Sequence, residues 1–225
     1  MKIKTRLSGW LGALLVATLP GSAAASLLFQ EDFSGATPGA NKTGVIAGTQ
    51  VEVTHDAVDI VGVLNGSFFG CVNNPTGNCL DLVGSPGLGA IQSIPTFNLV
   101  AGHTYTVSFG VVLQGFDPGD SATSQFTVGL GSFSQQLTAI PAVLQASLDV
   151  TPAGNESNVP LTFTTNTEPD TVHGAVLDHI VLTDQGPRAV PEPSAIVALG
   201  PALAGFAVIG RRRNRREARS SVSAP

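Results

Sequence analysis

The stretch His103-Thr-Tyr-Thr-Val-Ser-Phe-Gly-Val-Val-Leu113 alternates bulky apolar residues with small or polar ones. Its apolar set is Tyr105, Val107, Phe109, Val111 and Leu113. Successive side chains of a strand point to opposite faces, so a period of two is typical of a strand with one buried face. The stretch therefore predicts a half-buried β-strand, with Tyr105 packed in the core.

Shorter runs of the same kind lie on both sides of this stretch. They cover residues 27–33, 50–54, 57–63, 79–83, 126–130, 133–137, 159–165 and 175–183. Clusters of Gly, Pro, Asn and Asp separate them at residues 35–39, 84–87, 117–120 and 152–155. Residues 139–150 fit either a strand or a short helix. Many short strands joined by turns, with no amphipathic helix, predict an all-β antiparallel sandwich or barrel.

Four segments add a family resemblance, in the order 28–33 (LFQEDF), 79–85 (CLDLVGS), 99–109 (LVAGHTYTVSF) and 174–182 (GAVLDHIVL). This order resembles the galactose-binding-like jelly rolls, which include carbohydrate-binding modules. The resemblance implies a β-sandwich of jelly-roll type. It gives weaker support to sugar binding, because the fold serves many functions.

The same resemblance implies a structural calcium ion. In many of these jelly rolls, an acidic residue after the first strand and an aspartate in the last strand share Ca²⁺. The matching residues are Glu31, Asp32 and Asp178, and calcium is the only cofactor that the sequence suggests. The alternative is that Glu31 and Asp32 are exposed residues at a strand end and that Asp178 caps a turn or accepts backbone hydrogen bonds.

The N-terminus has the features of a secretory signal peptide. Lys2, Lys4 and Arg6 precede an apolar segment at residues 7–19, and the small residues Ala23 and Ala25 suit a signal peptidase that cuts before Ser26. Residues 1–25 are therefore assigned to a signal helix that directs export through the inner membrane. An uncleaved anchor is the alternative.

The C-terminus combines three features in a fixed order. Pro191-Glu192-Pro193 comes first, and an uncharged apolar run at residues 195–210 follows. A basic cluster then contains Arg211, Arg212, Arg213, Arg215 and Arg216. The apolar run is shorter than the roughly 20 residues of a typical membrane span, but flanking side chains extend it by snorkelling. The arginines are expected to remain cytoplasmic.

Together these features resemble the PEP-CTERM sorting signal of exported Gram-negative bacterial proteins. The resemblance implies that an exosortase cleaves near Pro191-Glu192-Pro193, and that the protein associates with exopolysaccharide and biofilm matrix. The alternative is an ordinary membrane anchor with a chance Pro-Glu-Pro. The resulting division is a β-sandwich domain at residues 26–185, a linker with the motif at 186–194, a transmembrane helix at 195–210 and a cytoplasmic tail at 211–225.

The body of the chain is strongly acidic. Residues 26–189 contain fourteen of the sixteen Asp and Glu residues but only Lys42 and Arg188 among the basic ones, a net charge of −12. Such a surface repels phosphate backbones, so nucleic acid is not an expected partner. The chain's two cysteines, Cys71 and Cys79, are close in sequence and predict a disulfide in an exported protein.

No catalytic residue is assigned. The four histidines have no metal-ligand spacing, and neither a nucleophile elbow nor a phosphate-binding loop is present. His55-Asp56 and Asp178-His179 are neighbours that would point to opposite faces of a regular strand. The aromatic candidates for stacking on a sugar are Phe68 and Phe69. Because neighbours cannot both point inward on a regular strand, one of them is expected to be exposed; the alternative is that both pack within a loop.

The sequence therefore predicts a structural or adhesive protein, on the cell surface or secreted, that is not an enzyme. The alternatives are a carbohydrate-binding module and a glycan-active hydrolase whose two carboxylates come together only in the folded chain.

Processing at the sorting signal can be measured directly. We expect the protein isolated from its native host to end between Pro191 and Ser194 and to lack the arginine cluster, because an exosortase removes the tail. Mass spectrometry of the mature C-terminus measures this. A chain that is intact through Pro225 would identify a simple membrane anchor instead.

Overall fold

The computed structural model describes residues 24–62, 71, 77–84, 87–113, 121–167 and 174–188. The regular elements in these ranges are strands: β1 (Ser26–Glu31), β2 (Gly39–Val45), β3 (Val51–Val61), β4 (Cys79–Asp81), β5 (Ala90–Ser93), β6 (Phe97–Leu99), β7 (His103–Leu113), β8 (Ser124–Leu130), β9 (Phe133–Ala139), β10 (Leu144–Val150), β11 (Glu156–Val159), β12 (Leu161–Thr167) and β13 (Ala175–Pro187).

Eleven of these strands form one continuous sheet in the order β10-β7-β13-β4-β3-β5-β12-β8-β9, with β1 added to β13 and β2 added to β3. Strands β6 and β11 form a separate pair. Each pairing is antiparallel. The two ends of the long sheet share one core, so it folds over into a sandwich with β10, β7, β13 and β1 in one layer and β3, β5, β12, β8 and β9 in the other.

Three aromatic rings connect the two layers. Phe109 of β7 packs edge-to-face on Phe126 of β8, with ring centroids 6.1 Å apart, and on Phe163 of β12, at 5.2 Å. Neither β8 nor β12 is hydrogen-bonded to β7, so these contacts cross the interior. Edge-to-face rings contribute about 0.5–1.5 kcal/mol beyond the area that they bury.

The all-β antiparallel prediction is confirmed, and β7 has the bounds that the alternating stretch predicts. Tyr105 is 1% exposed, as expected for a core residue, and its hydroxyl accepts a hydrogen bond of 2.8 Å from the Val100 amide. Residues 139–150, which fitted a strand or a helix, contain strand β10. Strand β13 continues to Pro187 and so includes two residues that the sequence placed in the linker.

The sequence missed four strands: β2, β5, β6 and β11. Strands β5, β6 and β11 contain only three or four residues, too few for an alternating pattern to stand out. Strand β2 (GANKTGV) is largely exposed and has glycines and polar residues where an apolar face would appear. Two predicted strands, 50–54 and 57–63, are instead one strand, β3, which continues through a bulge near Asp56 at a φ of 44°.

The predicted disulfide is confirmed, because Cys71 and Cys79 are bonded with their Cα atoms 5.5 Å apart. The two cysteines form a small apolar cluster with Val112 and Val176, and the partly buried Val61 packs against it. This cluster is separate from the main core. The disulfide therefore connects the chain that follows β3 to β4 and covers the neighbouring valines.

Several predictions concern residues outside the described ranges. They are Ala23 at the signal cleavage site, Phe68 and Phe69, the motif Pro191, Glu192 and Pro193, and the arginines from Arg211 to Arg216. Ser26, expected after the cleavage site, begins strand β1. Within the ranges that the structure describes, no helix has the length and hydropathy needed to span a membrane.

Removal of the disulfide is expected to destabilise the domain without changing its fold. Replacing both cysteines, Cys71→Ala with Cys79→Ala, should lower the free energy of unfolding by about 2–3 kcal/mol, because a short closed loop no longer restricts the unfolded chain. Urea unfolding of the double variant and of reduced wild-type protein should give the same lower midpoint. Equal midpoints for oxidised and reduced wild type would contradict this prediction.

Candidate functional site

Glu31 connects the end of β1 to the chain that enters β3. The carboxylate is 5% exposed, and both of its oxygens accept backbone hydrogen bonds, Oε1 from the Phe33 amide at 2.7 Å and Oε2 from the Gln50 amide at 2.6 Å. Burial raises the pKa of this carboxyl, and the two backbone donors partly offset that effect. Glu31 therefore joins the loop after β1 to the loop before β3 through these two hydrogen bonds.

The same two loops pack closely through their backbones at Gly35 and Gly48. A Cβ atom built on Gly35 would lie 2.4 Å from the Gly48 carbonyl oxygen, and Gly48 has a φ of 83°. Only glycine fits such a contact at positive φ. The two glycines line an open polar groove of about 500 Å³ with Gln30, Glu31, Asp32, Ser34, Thr49 and Gln50.

Asp178 is fully buried in the last strand, and one of its oxygens lacks a partner. Its Oδ1 accepts a hydrogen bond of 2.8 Å from the His179 amide, whereas Oδ2 is buried with no hydrogen-bond donor in the described part of the chain. Burial is the main cause of the raised pKa of this carboxyl, and the charge of Asp32 raises it further. An ionised carboxylate in this place needs a compensating positive charge or further donors.

Asp32 is the third acidic residue of this corner and the most accessible to solvent. Its Oδ1 accepts hydrogen bonds from Ser34, 2.7 Å from the hydroxyl and 3.0 Å from the amide. These bonds hold the pKa of the Asp32 carboxyl below its usual range. Asp32 therefore carries a negative charge beside Asp178 at neutral pH.

These residues fit a calcium ion in part. The buried Oδ2 of Asp178 is the kind of hard oxygen ligand that Ca²⁺ prefers, and Asp32 supplies a nearby charge. Glu31 fits less well, since backbone amides already occupy both of its oxygens. In the described ranges, no three His, Cys, Asp or Glu side chains are arranged to hold a metal ion. A calcium site here would need backbone carbonyls or water for most of its ligands, so it stays a prediction.

Two His-Asp neighbours are closer to each other than a regular strand allows. His179 has a φ of 49° at a bulge in β13, and its Nδ1 lies 3.3 Å from Asp178 Oδ1. At the bulge in β3, His55 Nε2 lies 3.5 Å from Asp56 Oδ2, and both side chains are largely exposed. A bulge interrupts the regular alternation at both pairs, so each histidine lies within 3.5 Å of its aspartate although the two residues are neighbours on a strand. A third pair, His103 with Asp184 at 3.1 Å, joins β7 to β13 and was not predicted.

The outward surface of β5, β12, β8 and β9, which we call the polar face, is a broad array of amide and hydroxyl side chains. Across the strands, Gln92 pairs with Thr162, Thr164 pairs with Thr127, and Thr127 pairs with Gln136. The members of the polar face are Gln92, Gln125, Thr127, Ser134, Gln136, Thr138, Thr162, Thr164 and Asn166. They alternate with core residues such as Phe126, Val128 and Phe163, which fixes their outward orientation.

Hydrogen bonds between neighbours order this face. Gln136 Nε2 donates to Gln125 Oε1 at 2.7 Å, and Asn166 Nδ2 donates to Thr127 Oγ1 at 2.7 Å. At one margin, Gln92 donates to Glu52, which pairs with it across β3 and β5. No member of the face is charged, in a body that carries a net charge of −12.

Sequence reasoning missed the polar face, although part of its signal was available. The predicted strand at residues 126–130 has Thr127 on its outer side, but one strand alone does not show which amides and hydroxyls of distant strands become its neighbours. The large apolar side chains that the described ranges expose are all aliphatic: Leu27, Leu28, Val45, Ile94, Val100, Ile140, Val143 and Leu144. An aromatic stacking platform is thus not offered by these ranges.

No family model matches the chain, and no curated protein matches it. Solved structures with some similarity include the CBM22-1 xylan-binding domain of Paenibacillus barcinonensis Xyn10C, at 12% identity and a TM-score of 0.42, covering 75% of this chain and 100% of that one. The K3 cleaved adhesin domain of Lys-gingipain from Porphyromonas gingivalis has 16% identity and a TM-score of 0.46, with 70% and 99% covered. The C-terminal CBM6 of LamC from Zobellia galactanivorans has 10% identity and a TM-score of 0.37, with 69% and 98% covered. With each TM-score below 0.5, these similarities establish neither a shared fold nor a shared function.

Calcium binding can be tested through thermal stability. If Ca²⁺ binds at Asp178, saturating calcium should raise the melting temperature of the chelator-treated protein by about 5–10 °C, since a ligand at about 100 times its Kd adds roughly 2.7 kcal/mol. Asp178→Asn should remain folded, because it removes a buried charge at constant shape, and should lose the response. Calorimetry with and without calcium measures both effects.

Asp149→Asn is the matched control, because it removes an exposed carboxylate on β10 that accepts a hydrogen bond from Thr106. This variant should keep the full calcium response. A wild-type protein without a calcium-dependent shift, or an Asp178→Asn variant that keeps it, would contradict the calcium site.

Proposed function

We propose that this protein is an exported, non-catalytic β-sandwich of jelly-roll type that has a structural or adhesive role in an extracellular matrix. In this proposal, its polar face binds an uncharged polysaccharide. The uncharged polar face is the observation that carries the proposal.

The chemistry of the polar face suits sugar hydroxyls. Amide side chains offer both donors and acceptors, and each Thr or Ser hydroxyl can do either. A polysaccharide presents hydroxyls at regular intervals, so an array of such groups spaced by about 4.8 Å across neighbouring strands can bind it along its length. Each hydrogen bond of this kind is weak, at about 0.5–1.5 kcal/mol. The affinity for the polysaccharide would therefore come from the number of such bonds rather than from one strong contact.

The charge of the body favours a neutral polymer. A net charge of −12 outside the polar face repels anionic polysaccharides as it repels nucleic acid. An uncharged chain meets no such penalty. It would exchange hydrogen bonds with water for hydrogen bonds with amides and hydroxyls.

In this proposal, the sequence signals at the two ends of the chain determine where in the cell envelope the protein is found. Signal peptidase would release the chain before Ser26, and exosortase would process it near Pro191-Glu192-Pro193, which places the sandwich at the cell surface or outside the cell. A calcium ion at Asp178 would stiffen the corner where β1 leaves β13. Its effect would be on stability rather than on the chemistry of binding, because Asp178 lies in the other layer of the sandwich from the polar face.

The polar face can be tested with threonine-to-valine changes, which keep shape and remove hydroxyls. Thr127→Val with Thr164→Val, paired across β8 and β12, should weaken binding to neutral exopolysaccharide from the producing host on the order of tenfold. The control, Thr104→Val with Thr183→Val, changes two threonines in the other layer, on β7 and β13. Affinity electrophoresis compares the three proteins on neutral and acidic polysaccharides.

Control and wild type should bind the neutral polymer alike and the acidic polymer weakly or not at all. If wild type binds neither polymer, the proposed function fails. If both double variants bind as wild type does, the glycan contact lies elsewhere on the protein.

A further inference from the structure

Within the described residues, strand β9 is an open edge of the sheet, and just past its end the Leu113 amide of β7 donates a hydrogen bond of 2.9 Å to the Ile140 carbonyl. Strand β9 pairs with β8 on one side, and no described residue pairs with its other side. Such an edge presents unpaired backbone N–H and C=O groups, which another strand can use. Proteins usually protect edges of this kind with charges, prolines or bulges.

Strands β2, β1 and β10, the other peripheral strands of the long sheet, have such protection. Strand β2 carries Lys42, has positive φ at Asn41 and Gly44, and changes register twice against β3. Strand β1 has a bulge between Leu27 and Phe29. Strand β10 carries the exposed Asp149.

Strand β9 (FSQQLTA) has none of these features. It forms seven consecutive pairs with β8 without a register shift, and it contains no charged residue, proline or glycine. Residues 121–148, which include β8, β9 and most of β10, contain no charged residue at all. Two copies of a body with a charge of −12 repel each other, so they can approach only where charge is missing; charged residues are likewise depleted in the centres of protein interfaces.

The backbone of β9 has a definite pattern at this edge. The turn Gly131-Ser132 joins the paired residues Leu130 and Phe133. Backbone groups in an antiparallel ladder alternate between the two sides of a strand. Counting from Phe133, the N–H and C=O groups of Ser134, Gln136 and Thr138 therefore point to the free edge.

We propose that two copies of this chain pair antiparallel through β9, about a two-fold axis at Gln136. In that register Gln136 lies opposite its own copy, and Ser134 lies opposite the second copy's Thr138. Both pairs match chemically, amide with amide and hydroxyl with hydroxyl, and hydroxyl pairs of this kind stabilise antiparallel sheets. The contact is isologous and closes at two copies.

The dimer makes one surface out of two polar faces. Their strands continue across the axis, because each copy contributes β5, β12, β8 and β9 to the same sheet. A polymer that contacts both halves gains from effective concentration without any new kind of contact. The pairing itself does not depend on glycan binding, so it goes beyond the proposed function and can be tested alone.

Cysteine cross-linking tests the register. Paired residues that exchange hydrogen bonds have Cα atoms about 5.5 Å apart, within the range of a disulfide. The native cysteines are bonded to each other, so Gln136→Cys in the full-length chain adds one free thiol. Mild oxidation should convert most of this variant to a covalent dimer. The control Gln145→Cys, on the exposed edge strand β10, should stay largely monomeric.

A charge substitution tests the energetics. Gln136→Glu places two carboxylates opposite each other at the axis and should raise the dimer dissociation constant about tenfold or more. Gln145→Glu adds the same charge on β10 and should associate as wild type does. Sedimentation equilibrium of the three full-length proteins gives the dissociation constants. All three carry the same termini, so association through the apolar ends would be equal in all of them.

Equal cross-linking by the two cysteine variants would overturn the proposal. So would a wild type that is monomeric at every concentration up to its solubility limit, which would leave the β9 edge to another partner. Association of Gln136→Glu at the wild-type dissociation constant would overturn it as well.

Discussion

The contact of Phe109 with Phe126 and Phe163 is the interaction on which the two-layer arrangement depends. The three rings come from strands that share no hydrogen bond, so the packing of side chains alone connects the layers at this point. The same alternation that points these rings inward points Thr127, Gln125 and Thr164 outward. Core and polar face are thus two sides of one pattern, and a shift of one residue in β8 would exchange them.

The sequence predicted what depends on period and proximity along the chain. The alternating stretch at β7 was placed correctly because its apolar side chains recur at every second position over eleven residues. The disulfide followed from two cysteines only eight residues apart. Short strands such as β5 and the exposed β2 were missed, because their identity comes from the neighbours that they pair with rather than from their own residues.

The candidate sites differ in how much of each could be predicted from the sequence. The acidic corner was found through resemblance, but its details are spatial: Glu31 accepts a hydrogen bond from the amide of Gln50, and a bulge beside Asp178 brings His179 within 3.3 Å of it. The polar face spans strands that are distant in sequence, so its size and neutrality appear only when the sheet is assembled. Unpaired edges are likewise a property of the strand order, which the sequence alone did not establish.

Strand β13 lies at the centre of its layer, where it pairs with β1, β4 and β7. It is also the last strand of the sheet, whereas its partner β1 is the first. A chain that emerges from a translocation channel N-terminus first would expose β1 and β7 before their common partner arrives. Non-local pairing of this kind folds slowly and leaves strand edges open in the meantime. In the proposed export route, the chain would therefore depend most on chaperones outside the cytoplasm shortly before its C-terminal segment leaves the channel. A truncation that removes β13 would yield a protease-sensitive chain rather than a smaller sandwich.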